Sequence, residues 1–245
     1  MKEYGLIGKN LKHSFSAKYF NNKFEKEGIK NCNYQLFELA NIEDIRIFIQ
    51  SNPNLKGFNI TIPYKEAIIP YLDEVDDMVK EIGACNCVKI EDGKLIGFNT
   101  DVAGFMLSIL PLIEPQHHSA VILGNGGAAK AVIYSLEQIS IDYQVFAREP
   151  KNKYELIWSE LNEQHIEDNK IIINTTPIGM WPNVDNSPEI PFHALDRFHL
   201  VYDLIYNPET TKFLKKAIDQ DAIIKNGLEM LEQQAEAAWD IWNAK

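Results

Sequence analysis

The chain is poor in cysteine, in positive charge and in long apolar runs. Its 245 residues include three cysteines, Cys32, Cys85 and Cys87. So odd and sparse a set argues against a disulfide scaffold and suits a reducing cytoplasm. Lys and Arg number 24 against 35 Asp and Glu, a formal net charge of −11. Nucleic acid would need a basic face, and so would an anionic membrane, so neither partner is expected. A small anionic substrate is still allowed, because local fields matter more than the total. No apolar run approaches the ~20 residues of a membrane span. The first residues, Met1-Lys2-Glu3-Tyr4, run into a strand-like segment without the apolar stretch of a signal peptide. A cytoplasmic protein is therefore expected. The rest is ordinary: 45% hydrophobic and 24% charged residues, enough for one or two domains with a full core.

Strand-like and helix-like segments alternate along the chain. Residues 4–8, 34–39 and 57–62 read as strands, and 17–28, 42–51 and 68–82 as helices. Two further strands, 87–90 and 95–99, flank the turn signal Glu91-Asp92-Gly93-Lys94. This first part predicts a mostly parallel α/β domain with one antiparallel hairpin. After a connecting helix at 101–110, strands at 119–123, 143–147, 170–174 and 199–203 enclose a helix at 128–138. That pattern predicts a doubly wound, Rossmann-type nucleotide-binding half. A Glu- and Gln-rich helix at 228–242 closes the chain.

Two segments stand out by their polarity. Gly57-Phe58-Asn59-Ile60-Thr61-Ile62-Pro63-Tyr64-Lys65 and Gly97-Phe98-Asn99-Thr100-Asp101 both open with Gly-Phe-Asn and end on a charge. Neither resembles a Val/Ile/Leu core strand, so both read as polar strand ends suited to a small polar ligand. Lys65 and Asp101 could form a proton-transfer pair. The plainer reading is a surface lysine paired with Glu66 or Asp101. Cys85 and Cys87 would share one side of a strand. No His/Cys pair matches them, so small buried thiols are favoured over half a metal site.

Leu123-Gly124-Asn125-Gly126-Gly127-Ala128-Ala129 sits between a strand and a helix, where a phosphate-binding turn belongs. Gly124 allows the turn, Gly126 close approach of a pyrophosphate, and Ala129 tight helix packing, while the helix amino terminus offers N–H groups. The alternative is simply a tight strand–helix turn. At the end of the next strand stands Arg148, which suits the 2′-phosphate of NADP, beside Glu149, which opposes it. In Lys12-His13-Ser14-Phe15-Ser16, Ser14 and Ser16 could bind one carboxylate or serve as ordinary loop and cap serines.

These motifs, in this order, resemble the shikimate dehydrogenase family over nearly the whole chain. The His13-Ser14-Phe15-Ser16 loop resembles the family's carboxylate loop, implying Ser14 and Ser16 as substrate ligands. Asn59-Ile60-Thr61-Ile62-Pro63-Tyr64-Lys65 is similar to Asn-Val-Thr-x-Pro-x-Lys, implying Thr61 as a ligand and Lys65 as the catalytic lysine. Gly83-Ala84-Cys85-Asn86 implies Asn86 on substrate hydroxyls, and Asn99-Thr100-Asp101 implies Asp101 as the catalytic partner. Gly124, Asn125, Gly126, Gly127, Ala128 and Arg148 are implied as cofactor residues, and Asn174-Thr175-Thr176-Pro177-Ile178-Gly179-Met180 is similar to a further family stretch. Asp203-Leu204-Ile205-Tyr206-Asn207-Pro208 implies Leu204 near the nicotinamide and Tyr206 near the substrate. The closing Asn226-Gly227 to Gln234-Ala235 stretch implies Gly227 by the nicotinamide and Gln234 on the substrate. Ala147-Arg148-Glu149 departs from the family's Asn-Arg-Thr, and Cys87 replaces a Thr.

The resemblance implies NADPH-dependent, reversible reduction of 3-dehydroshikimate to shikimate, in aromatic amino-acid biosynthesis, with NADP(H) as cofactor and no metal. It also implies a discontinuous substrate domain, 1–102 plus 228–245, around a dinucleotide domain at 103–227. Two alternatives stay open: a quinate/shikimate dehydrogenase using NAD, and a non-catalytic ligand sensor on the same fold. Monomer and homodimer are equally compatible with the sequence.

Overall fold

The computed structural model describes residues 1–11 and 14–244. It divides into two compact units, residues 1–101 with 234–245, and residues 102–233. The division falls inside the last helix rather than at its start.

The first unit contains β1 (Lys2–Gly8), α1 (Ser16–Lys26), β2 (Cys32–Glu38), α2 (Ile45–Ser51), β3 (Leu55–Ile60), α3 (Tyr64–Ala67), β4 (Glu74–Val75), α4 (Asp77–Ile82), β5 (Cys87–Glu91) and β6 (Lys94–Phe98). Its sheet has the order β2-β1-β3-β5-β6-β4. β1 pairs in parallel with β2 and β3, and β4 with β6; β5 runs antiparallel to β3 and β6. Successive strand residues face opposite sides of a sheet, and both sides here are covered. Ile7, Phe58, Ile60 and Val88 pack with Ile45, Tyr64 and Val79 from α2, α3 and α4. Tyr4, Leu6, Tyr34 and Cys87 pack on the other side with Phe20 and Phe24 of α1 and with Ala235, Ala238 and Trp242.

The polar strand end read at Asn59 and Thr61 holds, since β3 stops at Ile60, but Gly57 and Phe58 belong to the two cores. Both lie in β3, mid-sheet between β1 and β5, and are buried. Phe58 feeds one core. Gly57 faces the other, where a Cβ would lie 2.3 Å from the Trp242 ring. Glycine stands there to admit an indole. The single helix expected over 68–82 is instead a 3-10 turn (Ile69–Tyr71), β4 and α4. Pro70 and the Leu72–Asp73 turn interrupt it; Asp73 N–H donates to the Leu95 carbonyl, drawing the chain onto β6.

The second unit contains α5 (Asp101–Ile109, after its first residue), β7 (Ser119–Leu123), α6 (Gly127–Gln138), β8 (Asp142–Ala147), β9 (Glu155–Ile157), α7 (Glu163–Asp168), β10 (Ile171–Asn174), β11 (Leu200–Asp203), α8 (Lys212–Ile218), β12 (Ile223–Asn226) and the first part of α9 (Leu228–Asn243). All its strands are parallel, in the order β12-β11-β10-β7-β8-β9. Counted from β7, that is the doubly wound dinucleotide-binding order, with the switch point between β7 and β10. Ile171 and Ile173 face a core with α5, α6 and Met230, while Ile172 faces α7 and α8. The short strand β9 was not visible in the sequence.

Replacing Gly57 by Ala forces a methyl group into the Trp242 ring, so overpacking should lower stability by about 1–3 kcal/mol. Urea denaturation of Gly57→Ala checks this; unchanged stability contradicts the proposed packing reason for glycine.

Candidate active site

Local structure places Lys65, Asn86 and Asp101 side by side. Asp76 caps α4 by accepting the Val79 N–H at 2.7 Å, and Gly83 ends it in the left-handed conformation at φ 67°. Only Gly83 to Asn86 then separate α4 from β5, which delivers Asn86 to the sheet, where its N–H donates to the Phe98 carbonyl at 3.1 Å. The Cys85 N–H donates to the Lys65 carbonyl at 2.7 Å, tying α3 to the same segment. Asp101 opens α5, with its N–H donating to Asn99 Oδ1 at 3.0 Å. A carboxylate at a helix amino terminus is favoured by the helix dipole.

The side chains then interlock. Lys65 Nζ donates to Asp101 Oδ2 at 2.5 Å, and Asn86 Nδ2 donates to Asp101 Oδ1 at 2.8 Å. Asn86 Oδ1 accepts the Thr100 N–H at 2.6 Å. The Thr100 hydroxyl reaches Gln234 Oε1 at 3.4 Å. The Lys65 and Asp101 side chains are 16% and 7% exposed. Lys65 is thus no surface lysine: its partner is buried, and solvent screens the pair little. The structure therefore brings four predicted residues, Lys65, Asn86, Asp101 and Gln234, into one network.

Ser14 and Ser16 lie at the start of α1, with the Ser16 N–H donating to Ser14 Oγ at 3.3 Å. Lys12 and His13 of that loop are outside the described residues. Thr61 follows β3 directly and is half-buried. Cys85 and Cys87 are both buried; Cys85 Sγ donates to the Cys87 carbonyl, and burial pushes its thiol up to about 12. Among the described residues no group of three or more His, Cys, Asp or Glu could hold a metal ion.

In the second unit the turn from β7 into α6 carries Gly124, Asn125, Gly126, Gly127 and Ala128. Gly124 has φ 109°, and its Cβ would meet Thr175 Oγ1 at 2.7 Å across the switch point. A Cβ at Gly126 would point into open space. An open cradle at the amino terminus of a twelve-residue helix fits a pyrophosphate. Arg148 follows β8 and is exposed. The structure also brings Gly227 against Leu204, whose carbonyl oxygen would lie 2.0 Å from a Gly227 Cβ. Tyr206 lies just beyond β11, half-buried.

Sequence reading missed Glu155. Its Oε2 accepts from Asn125 Nδ2 at 2.7 Å and from the Lys151 N–H at 2.8 Å, and its Oε1 from Asn152 Nδ2 at 2.8 Å. Asn125 Nδ2 also donates to the Glu149 carbonyl at 3.0 Å. Glu155 thereby ties the glycine turn to the loop carrying Arg148. Nothing in the local sequence marks it, since Asn125 is thirty positions away.

A family model described as the shikimate dehydrogenase substrate binding domain matches residues 6–88. A shikimate dehydrogenase (NADP(+)) from Clostridium beijerinckii is 38% identical over 256 residues, covering 99% of this chain and 92% of the relative. The chain belongs to the shikimate dehydrogenase family. Among solved structures, a shikimate dehydrogenase in complex with NADP+ matches with a TM-score of 0.87 at 35% identity, over 99% of this chain and 90% of that one. The Thermus thermophilus shikimate dehydrogenase in complex with NADP(H) and shikimate matches with a TM-score of 0.87 at 26% identity, over 99% and 94%.

One family motif holds a titratable group of its own. Asp203 ends β11, fully buried, and accepts from Asn174 Nδ2 at 2.9 Å, Thr211 Oγ1 at 2.6 Å and the Ile205 N–H at 3.1 Å. Burial outweighs these bonds and raises its carboxyl from 3.8 to about 6. The folded chain therefore holds this proton more tightly than the unfolded one. Its contribution to stability is greatest below the unfolded value and is lost as pH rises through about 6. Relative to Asp203→Asn, the wild type should gain about 2 kcal/mol between pH ~7.5 and pH ~4.5. Urea denaturation at both values checks it; a pH-independent difference contradicts it.

Proposed function

We propose that the protein is a shikimate dehydrogenase that reduces 3-dehydroshikimate reversibly to shikimate with NADPH, in the cytoplasm. The buried Lys65–Asp101 pair carries this reading, because it stands within the network of Asn86, Thr100 and Gln234. A ligand sensor has no need of a proton-transfer pair.

When bound, NADPH supplies a hydride to the carbonyl carbon. Negative charge then grows on the carbonyl oxygen. Lys65 stabilises that charge and donates a proton to the oxygen, so the ketone becomes a hydroxyl. In the reverse direction Lys65 takes the proton back. Asp101 holds the lysine and accepts from a substrate hydroxyl, while Asn86 keeps the carboxylate turned toward both. Ser14 and Ser16 bind the substrate carboxylate, and Thr61 and Gln234 its hydroxyls. No metal is required, since Lys65 does the polarising that a zinc ion does elsewhere.

The glycine turn, Gly124 to Ala128, holds the cofactor pyrophosphate on the N–H groups of α6. Arg148 takes the 2′-phosphate. Glu149 contributes its backbone carbonyl to Asn125, which fixes the loop through the backbone. In this reading residues 1–101 with the end of α9 form the substrate domain, and the second unit is the dinucleotide domain.

Lys65→Ala and Asp101→Asn should each lower kcat by about 10²–10⁴ in steady-state assays of NADPH absorbance. Ser14→Ala should act through KM for shikimate, raising it about tenfold or more with kcat little changed. Either of the first two variants near wild-type kcat contradicts the assigned chemistry.

A further inference from the structure

Tyr34 has no part in the reaction as described, yet it stands where two parts of the first unit meet. Its ring is 2% exposed. Its hydroxyl donates to Asn59 Oδ1 at 2.9 Å, across 25 positions of sequence. Asn59 Nδ2 in turn donates to the Asn86 carbonyl at 3.2 Å. The same carbonyl accepts the Ile60 N–H at 2.8 Å, so β3 grips Asn86 by backbone and side chain together. From Asn86 the chain of contacts continues through its amide to Asp101.

On its other side Tyr34 is fastened to α1. Asn21 Nδ2 donates to the Tyr34 carbonyl at 3.0 Å, and the Tyr34 N–H donates to Asn21 Oδ1 at 3.1 Å. The Phe20 ring stacks on the phenol with centroids 4.4 Å apart and planes 9° from parallel. Ser16 lies four residues before Phe20 and so on the same helix face; it too is buried. Burial keeps the phenol well above its ordinary pKa, with Ser16 opposing, so it stays a neutral donor to Asn59.

We propose that Tyr34 is a positioning residue: its hydroxyl, acting through Asn59 and the Asn86 carbonyl, fixes the Ser14–Ser16 turn at a set distance from the Asp101 carboxylate. The proposal rests on the functional reading above. A substrate held by its carboxylate at one end and reacting at the other needs those two ends in register. The Ser14–Ser16 turn and Asp101 sit on separate elements, and Tyr34 joins toward both: its backbone and ring hold α1, and its hydroxyl reaches Asn59.

Tyr34→Phe removes the hydroxyl and leaves the ring stack and the Asn21 clamp intact. In the cofactor-free protein, shikimate Kd measured by calorimetry should weaken about fivefold or more. In turnover, kcat should fall about tenfold while KM for NADPH stays within about twofold. Phe24→Leu, in the same core cluster, should lower Tm without moving any of these constants. Should Tyr34→Phe fail to fold, Asn59→Ala cuts the same connection one step later and should show the same split. A Tyr34→Phe protein with lowered Tm but wild-type Kd and kcat overturns the proposal alone. A wild type that neither binds shikimate nor turns over 3-dehydroshikimate overturns the functional reading, and this proposal with it.

Discussion

The Asp101 carboxylate, held from both sides, is the constraint on which the rest of the site depends. A buried carboxylate is costly unless each oxygen is met. Here one oxygen takes the Lys65 ammonium and the other the Asn86 amide. Asn86 is itself fixed by strand hydrogen bonds and by Thr100. Lys65 is tied to the same segment by its backbone. An arrangement so connected has little freedom to relax, which is what a proton-transfer group needs in order to meet its substrate without rearrangement.

The two sheets place their polar residues in different ways. In the first unit a central strand gives up apolar side chains to hold the polar network. Asn59 spends one face of β3 on Tyr34 and Asn86, while Phe58 and Ile60 keep the opposite core intact. Gly57 yields its volume to Trp242. In the second unit the strands are mostly apolar and polar residues gather at and beyond their ends, as Asn174 and Asp203 do at the ends of β10 and β11. The glycine turn and Thr175 lie past strand ends, where a doubly wound sheet leaves room for a ligand, while Glu155 opens β9 and ties its loop to the turn.

Much of this was legible in the chain because the governing demands are local. A glycine turn between a strand and a helix needs its residues at fixed spacing, so Gly124 to Ala128 could be read directly. The hairpin at Glu91 to Lys94 and the helix at 128–138 are likewise local. The catalytic candidates were legible because Lys65 and Asp101 each follow an unusual polar segment, and the motif order then fixed the family. What could not be read depends on partners far along the chain. Tyr34 looks like any strand tyrosine until Asn59 is beside it. Glu155 looks like surface charge until Asn125 reaches it. Gly57 was read as part of a polar strand end because Trp242, the residue that needs it, lies at the far end of the sequence. The break in the expected 68–82 helix belongs to the same class, since β4 exists only by pairing with β6.

The central claim is that Lys65 and Asp101 act as one unit, and a double-mutant cycle on kcat tests it most directly. Lys65→Ala, Asp101→Asn and the double variant would be compared under saturating 3-dehydroshikimate and NADPH. If the pair works as a unit, the double variant is no slower than the slower single variant, because the second change removes nothing that the first has left. If the two losses instead multiply, each residue acts independently, and the account of a lysine positioned by its carboxylate is wrong.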